Sequence, residues 1–245
     1  MSLRRTDKIR LENLANQLRQ EFGVRSTDAI SVHQMIRKKN IVASFQPLSD
    51  NIEGMGVRIE GDDGLRKLFM LVNTNSNYGR QRFTACHEMY HLLFQENFAV
   101  SLDLKGQEQT EQEEDCANYF ARCLLLPEEG VTMLTPPEEI IKKDSVSIAT
   151  ILKLEQNFRC SRSCLLFRLK ALGWISDFSY DKYKKNVINS ATEYGYDTSL
   201  YTPTGKKELI GDYNLKARAL YDKGLISQAR YFGLLRDMGI DFNKS

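Results

Sequence analysis

Residues 82–93 read Arg-Phe-Thr-Ala-Cys-His-Glu-Met-Tyr-His-Leu-Leu, and within them His87-Glu88-Met89-Tyr90-His91 forms an HExxH pattern. Phe83, Cys86, Met89, Tyr90, Leu93 and Phe94 supply apolar bulk at helical spacing, which predicts a helix over Arg82 to Gln95. Residues four apart on a helix share a face, one turn and about 6 Å of rise apart. Two imidazoles so placed can bind one zinc ion at Zn–N distances of about 2 Å. Glu88 lies next to His87, so its carboxylate can reach a metal-bound water without being a ligand, the position of a general base for hydrolysis. The chain has 3 histidines, so histidine chemistry is confined to this segment; His33, alone in Val32-His33-Gln34, reads as structural or exposed.

A catalytic zinc takes three protein ligands and keeps one open position. With no further histidine nearby, a downstream carboxylate must complete the set. Glu108, Glu111, Glu113, Glu114 and Asp115 all stand at the start of the next helical segment, Thr110 to Leu126, which Pro127 ends. Glu114 shares a face with Ala117, Ala121 and Leu125, suited to close packing against the HExxH helix. Glu113 shares one with Ala117, Phe120 and Leu124, so periodicity leaves both open. Most acids in this run suit a solvated first turn favoured by the helix dipole.

Upstream, an amphipathic helix is predicted over 6–22, ended by Gly23, and a shorter one near 28–38. Strands are predicted at Ile41–Phe45, Gly56–Glu60 and Lys67–Asn73, the last two joined by a hairpin turn at Gly61-Asp62-Asp63-Gly64. Asn73–Gly79 reads as a loop and 101–110 as polar. Downstream, helices are predicted at Val146–Asn157 and at Ser161–Leu172 with Ser161 as N-cap. The composition changes after Trp174, and a soft boundary near 176 divides a domain over 1–176 from a helical extension over 177–245. In the extension 195–206 reads as a loop, followed by helices near 212–223 and 227–238.

Composition narrows the function classes. At 42% apolar and 27% charged residues the chain suits a globular domain, and no run of 18 apolar residues is present to span a membrane. Its net charge of +2 gives no electrostatic case for nucleic acid or membrane binding as the main activity. Five cysteines, an odd number without a disulfide spacing, and a charged amphipathic start without a signal-peptide core fit reduced thiols in the cytoplasm. Cys160 and Cys164 have no second metal-binding pair after them and read as packed thiols.

The 82–93 block resembles the RFTxxHExxHxLL block of the ImmA/IrrE zinc metallopeptidases. Glu114-Asp-Cys-Ala-Asn118, with Phe120-Ala121 and Leu124-Leu-Leu-Pro127, is similar to that family's ExxAN-x-FA-xx-LLxP block, after a gap of 22 residues from His91. A weaker likeness runs over 146–173, from Phe158-Arg-Cys-Ser161 to Leu172-Gly173. Tyr90 stands where the family usually has Gly, and Cys86 where small or aliphatic residues are usual. The resemblance implies that Glu114 is the third zinc ligand. It also implies an α+β, zincin-like core, mainly helical with a small twisted sheet, where a strand beside the metal pairs with extended substrate backbone. Lys67–Asn73, with Leu71 and Asn73, is the strand expected to do so. Asn118, one turn after Glu114, is a candidate to orient a ligand, and Tyr90 a candidate to narrow the site. The implied substrate is a helix-turn-helix repressor of a mobile element or stress regulon in the bacterial cytoplasm.

Two other readings compete. The pair Val146–Asn157 and Ser161–Leu172 has helix-turn-helix spacing, with Arg159, Arg162, Arg168 and Lys170 as basic residues, so DNA binding is one. A binding protein that keeps zinc without cleaving is the other, and Glu88 argues against it. Neither the oligomeric state nor a role for 177–245 is legible.

Overall fold

The computed structural model describes residues 3–49, 51–61, 65–96, 98, 100–104 and 111–237. Two helices, α1 (Arg5–Glu21) and α2 (Val32–Lys38), precede three strands, β1 (Ile41–Gln46), β2 (Ile52–Glu60) and β3 (Arg66–Asn73). Next come α3 (Tyr78–Leu93), β4 (Val100–Leu104) and α4 (Glu111–Leu125). Five helices follow: α5 (Glu128–Leu134), α6 (Pro137–Ile141), α7 (Ile148–Phe158), α8 (Arg162–Ala171) and α9 (Asp177–Tyr183). The chain continues through α10 (Val187–Glu193), a 3-10 turn at Ser199–Tyr201, β5 (Glu208–Ile210), α11 (Tyr213–Asp222) and α12 (Gln228–Asp237). The fold is α+β: helices around a mixed five-stranded sheet of order β4-β2-β3-β1-β5.

The sheet turns one face to the helices. Ile41, Ala43 and Phe45 of β1 and Leu68, Met70 and Val72 of β3 are buried, while the alternate Phe69 is exposed, as the two-residue period of a strand requires. Helix α3 lies on the covered face against β2 and β3, with α4 and α8 on its other sides. Every residue from Gln81 to Leu92 is buried, so the HExxH helix is enclosed all round. Ala117 and Ala121 on α4 let that helix approach closely, and α1 covers α4 with Leu11, Ala15 and Leu18.

Several expectations change. Helix α3 begins at Tyr78, earlier than Arg82, because the Asn77 side chain caps it by accepting from Arg80 N at 2.9 Å. Helix α2 starts only at Val32, after Ser31 as cap. Part of the polar stretch 101–110 is the edge strand β4, whose alternating Val100, Leu102 and Leu104 carried a weak signal. The hairpin turn falls on 62–64, outside the described residues; its flanks pair antiparallel, Glu60 opposite Arg66. The largest correction concerns β3 as substrate strand. It lies between β1 and β2, with Leu71 paired on both sides, opposite Ser44 and Met55, and Asn73 paired with Gln46, so the strand has no free edge for a peptide. The Asn73 side chain instead bonds Leu48 N, Ser49 O and Ile52 O, fixing the loop between β1 and β2.

Two of the four basic side chains of the α7–α8 segment lie inside the fold, while Arg159 and Lys170 are exposed. Arg162 and Arg168 are 3% and 1% exposed. Arg162 ion-pairs with buried Glu155 and donates to Tyr183 O at 2.9 Å; Arg168 donates to Leu126 O at 3.0 Å and ion-pairs with Glu12. Guanidiniums committed to carbonyls and carboxylates inside the fold cannot contact phosphates. Ser161 does cap α8, as its sequence position predicts. All five cysteines are free and buried, and burial pushes the Cys164 thiol up to about 11.

Residues beyond 176 return to the core in part. Tyr183 donates to Val146 O at 3.0 Å, and Tyr201 donates to Glu155 Oε2 at 2.8 Å. Leu152, Ala191, Leu200 and Tyr201 form a second apolar cluster, and β5 pairs antiparallel with β1. Helices α11 and α12 pack chiefly on each other, with Tyr221 and Tyr231 stacked at 4.9 Å.

Candidate metal centre

Three side chains from two helices converge. His87 Nε2 and His91 Nε2, one turn apart on α3, are 3.1 Å from each other. The Glu114 carboxylate on α4 reaches both, Oε2 to His87 at 3.2 Å and Oε1 to His91 at 3.4 Å. A tetrahedral ion with bonds of about 2.0–2.1 Å holds its ligand atoms about 3.3 Å apart. The two imidazole nitrogens stand close to that edge length and each faces one carboxylate oxygen at 3.2–3.4 Å, so the residues present fit a divalent metal. Among the described residues this is the group of histidine and acidic side chains able to hold one. Burial alone would raise the Glu114 carboxyl; hydrogen bonds with His87 and His91 outweigh it and hold the group well below the usual carboxylate range.

The structure separates the carboxylates that periodicity left together. Adjacent helical residues point about 100° apart. Glu114 therefore meets the histidines while Glu113 turns aside and accepts from the Tyr90 hydroxyl at 3.2 Å. Asp115 is outside the cluster, the Glu111 side chain is not described, and Glu108 lies outside the described residues. Tyr90 is 1% exposed, with its ring 5.7 Å from Phe120. Its hydroxyl serves the α3–α4 contact and does not reach the donor atoms. Asn118 is half-buried, and no hydrogen bond among the described residues joins it to the three donors.

Glu88 is fully buried and is not part of the donor group. Its carboxylate lies against β2. A Cβ on Gly56 would stand 2.9 Å from Glu88 Oε2, and one on Gly54 would stand 3.2 Å from Oε1 and 2.4 Å from Thr84 Cγ2. These two glycines clear the space the carboxylate occupies; the sequence reading used Gly56 only as a strand start and left Gly54 outside the strand, although both lie within β2.

The comparisons add a family. The model described as the IrrE N-terminal-like domain of the M78 peptidases matches residues 41–170, more than half of the 245-residue chain. The chain belongs to the ImmA/IrrE peptidase family. A comparison with curated proteins finds no match. The matched span contains the whole metal centre, from β1 through nearly all of α8, and the centre is compatible with the metallopeptidase chemistry of an M78 peptidase.

In this ImmA/IrrE chain three further residues hold His91. Its Nδ1 is 2.5 Å from Gln95 Oε1. An amide oxygen only accepts, so the proton sits on Nδ1 and the Nε2 lone pair faces the donor cluster. Phe98 stacks on the imidazole at 5.6 Å and 18°. Arg58 on β2 donates to Gln95 O and Phe98 O, both at 3.0 Å, and clamps the turn that carries these two residues. Helix α3 ends at Leu93, short of the predicted helix end at Gln95, so the approach of Gln95 to His91, like those of Arg58 and Phe98, had no local signal. Replacing Gln95 by Ala is expected to weaken metal affinity by about 10–100-fold, the usual cost of losing a ligand's hydrogen-bond partner. A competition titration with a chromogenic chelator measures it, and unchanged affinity would remove Gln95 from this role.

Proposed function

We propose that this protein is a zinc endopeptidase, with His87, His91 and Glu114 holding the ion and Glu88 acting as general base. The reading rests on one observation above all: three donors at 3.1–3.4 Å, with Glu88, the middle acid of the motif, set apart from them. A His-His-Glu set favours zinc over harder cations. A zinc ion there would supply Lewis acidity, lowering the pKa of water and polarising the scissile carbonyl. The Glu88 carboxylate takes the proton of the attacking water and returns it to the departing amide nitrogen. Its burial against Gly54 and Gly56 keeps bulk water away from that carboxylate. Gln95 holds the proton on His91 Nδ1 throughout.

The substrate backbone binds at the sheet edge next to β2, along β4, since an edge strand has free backbone groups to offer an extended peptide. By family resemblance the substrate is a helix-turn-helix repressor, and the setting is the bacterial cytoplasm, which the five buried free thiols support. No helix among the described residues is long and apolar enough to cross a membrane. The test is purification with metal analysis, followed by incubation with the helix-turn-helix repressor encoded beside it. About one zinc per chain and cleavage of the repressor are expected; protein that binds no metal sinks the reading.

A further inference from the structure

The segment after α10 builds a second cavity away from the donor cluster. Tyr78 N donates to Thr202 O at 3.0 Å and Gly205 N to Thr74 O at 3.1 Å, while Asn77 bridges to Pro203. These bonds and β5 press residues 202–210 against the loop before α3. Between that segment, α2, β1 and the first turns of α3 lies a cleft of about 390 Å³. Small-molecule sites typically span about 300–1,000 Å³.

The lining carries aromatic rings: Phe45, with the His33 ring stacked on it at 5.3 Å and 14°, and Tyr78, whose face lies 6.0 Å from the Arg82 guanidinium. It also carries cations. Arg82 is 5% exposed and makes no ion pair among the described residues; it donates from Nε to Arg159 O at 2.8 Å and from Nη2 to Ile30 O at 3.0 Å. Two carbonyls and the face of the Tyr78 ring carry no formal charge to oppose it, and a buried charge ordinarily has a counter-charge. The exposed Lys206 adds a second cation to the lining. The acid in the lining, Glu208, lies 3.2 Å from His33 Nε2 and is engaged there.

We propose that this cleft binds a small organic anion, a planar ring beside Phe45 and His33 and a carboxylate or phosphate toward Arg82 and Lys206. Guanidinium suits both groups, because its planar fork matches their paired oxygens. The site is independent of the zinc-peptidase reading. Its walls come from the matched domain and from the segment beyond 176, which assigns that segment a binding task.

The chain's 3 histidines make the test clean, since His33 reports the cleft and His87 and His91 report the donor cluster. The full chain is titrated, by proton NMR of the imidazoles, with phenyl phosphate, benzoate, inorganic phosphate and benzyl alcohol. A saturable shift of His33 is expected with phenyl phosphate or benzoate, the tighter of the two naming the anionic group, and none with benzyl alcohol. Lys206→Glu, at an exposed position, should weaken that binding about tenfold or more, the loss expected for one charge-assisted contact. Three results overturn the proposal. One is no saturable His33 shift at about 10 mM ligand, beyond the weakest useful affinity. Another is inorganic phosphate binding as tightly as phenyl phosphate, which would leave the Phe45 and His33 rings without a role. The third is a shift confined to His87 and His91 that survives Lys206→Glu, which would locate the anion at the donor cluster.

Discussion

Glu88→Gln is expected to lower kcat by about 10²–10⁴-fold, the contribution of a positioned general base, while metal content stays unchanged. The amide has the size of the carboxylate, so it fits the space that Gly54 and Gly56 leave. The donor atoms of His87, His91 and Glu114 belong to other side chains and keep their spacing. What the amide lacks is the ability to accept a proton from the attacking water. In free-energy terms the loss is about 3–5.5 kcal/mol of transition-state stabilisation. Steady-state kinetics on a peptide spanning the cleavage site, with metal analysis of the same preparation, read both halves. Turnover equal to wild type would exclude Glu88 as the base; loss of the metal along with activity would place Glu88 in the binding set.

Glu114→Ala should remove metal binding selectively, and Glu113→Ala should not. Losing one of three ligands costs more than losing an outer partner, so affinity should fall by more than about 100-fold. The Glu114 side chain is 31% exposed, so truncation opens no sealed cavity and the metal-free protein should keep its fold. Glu113→Ala breaks the bond from the Tyr90 hydroxyl and is expected to cost about 0.5–1.5 kcal/mol of stability with metal affinity retained. Thermal melts in chelator, paired with chelator competition, separate the two effects. Metal loss in Glu113→Ala and retention in Glu114→Ala would reverse the assignment.

The two carboxylates show where sequence reading stops. Both faces of α4 are apolar enough to pack, so helical periodicity could not choose between Glu113 and Glu114; family resemblance chose, and the rotation of α4 against α3 accounts for the choice. The same limit explains β3. Lys67 to Val72 is the most strand-like run in the chain because both its edges and one of its faces are covered, and that coverage disqualifies it as a substrate strand. Arg162 and Arg168 read as surface cations on a helix pair, yet they lie inside, held by Glu155, Glu12 and main-chain carbonyls. A local pattern cannot reveal a counter-charge many residues away.

The sequence by itself determined the HExxH helix, the shared face of its two histidines, the acidic start of α4 as source of the third carboxylate in the cluster, and the main strands. Those features follow from spacing along one element, where four residues make one turn and two make one pleat. Only the tertiary structure decided the orientation of Glu114, the hold of Gln95, Phe98 and Arg58 on His91, the glycine gap for Glu88, and the cleft built by residues 202–210. Each of these depends on side chains from separate elements meeting at distances of a few ångströms. Such meetings are set by how α3 settles on the sheet and how α4 and the returning segment pack around it.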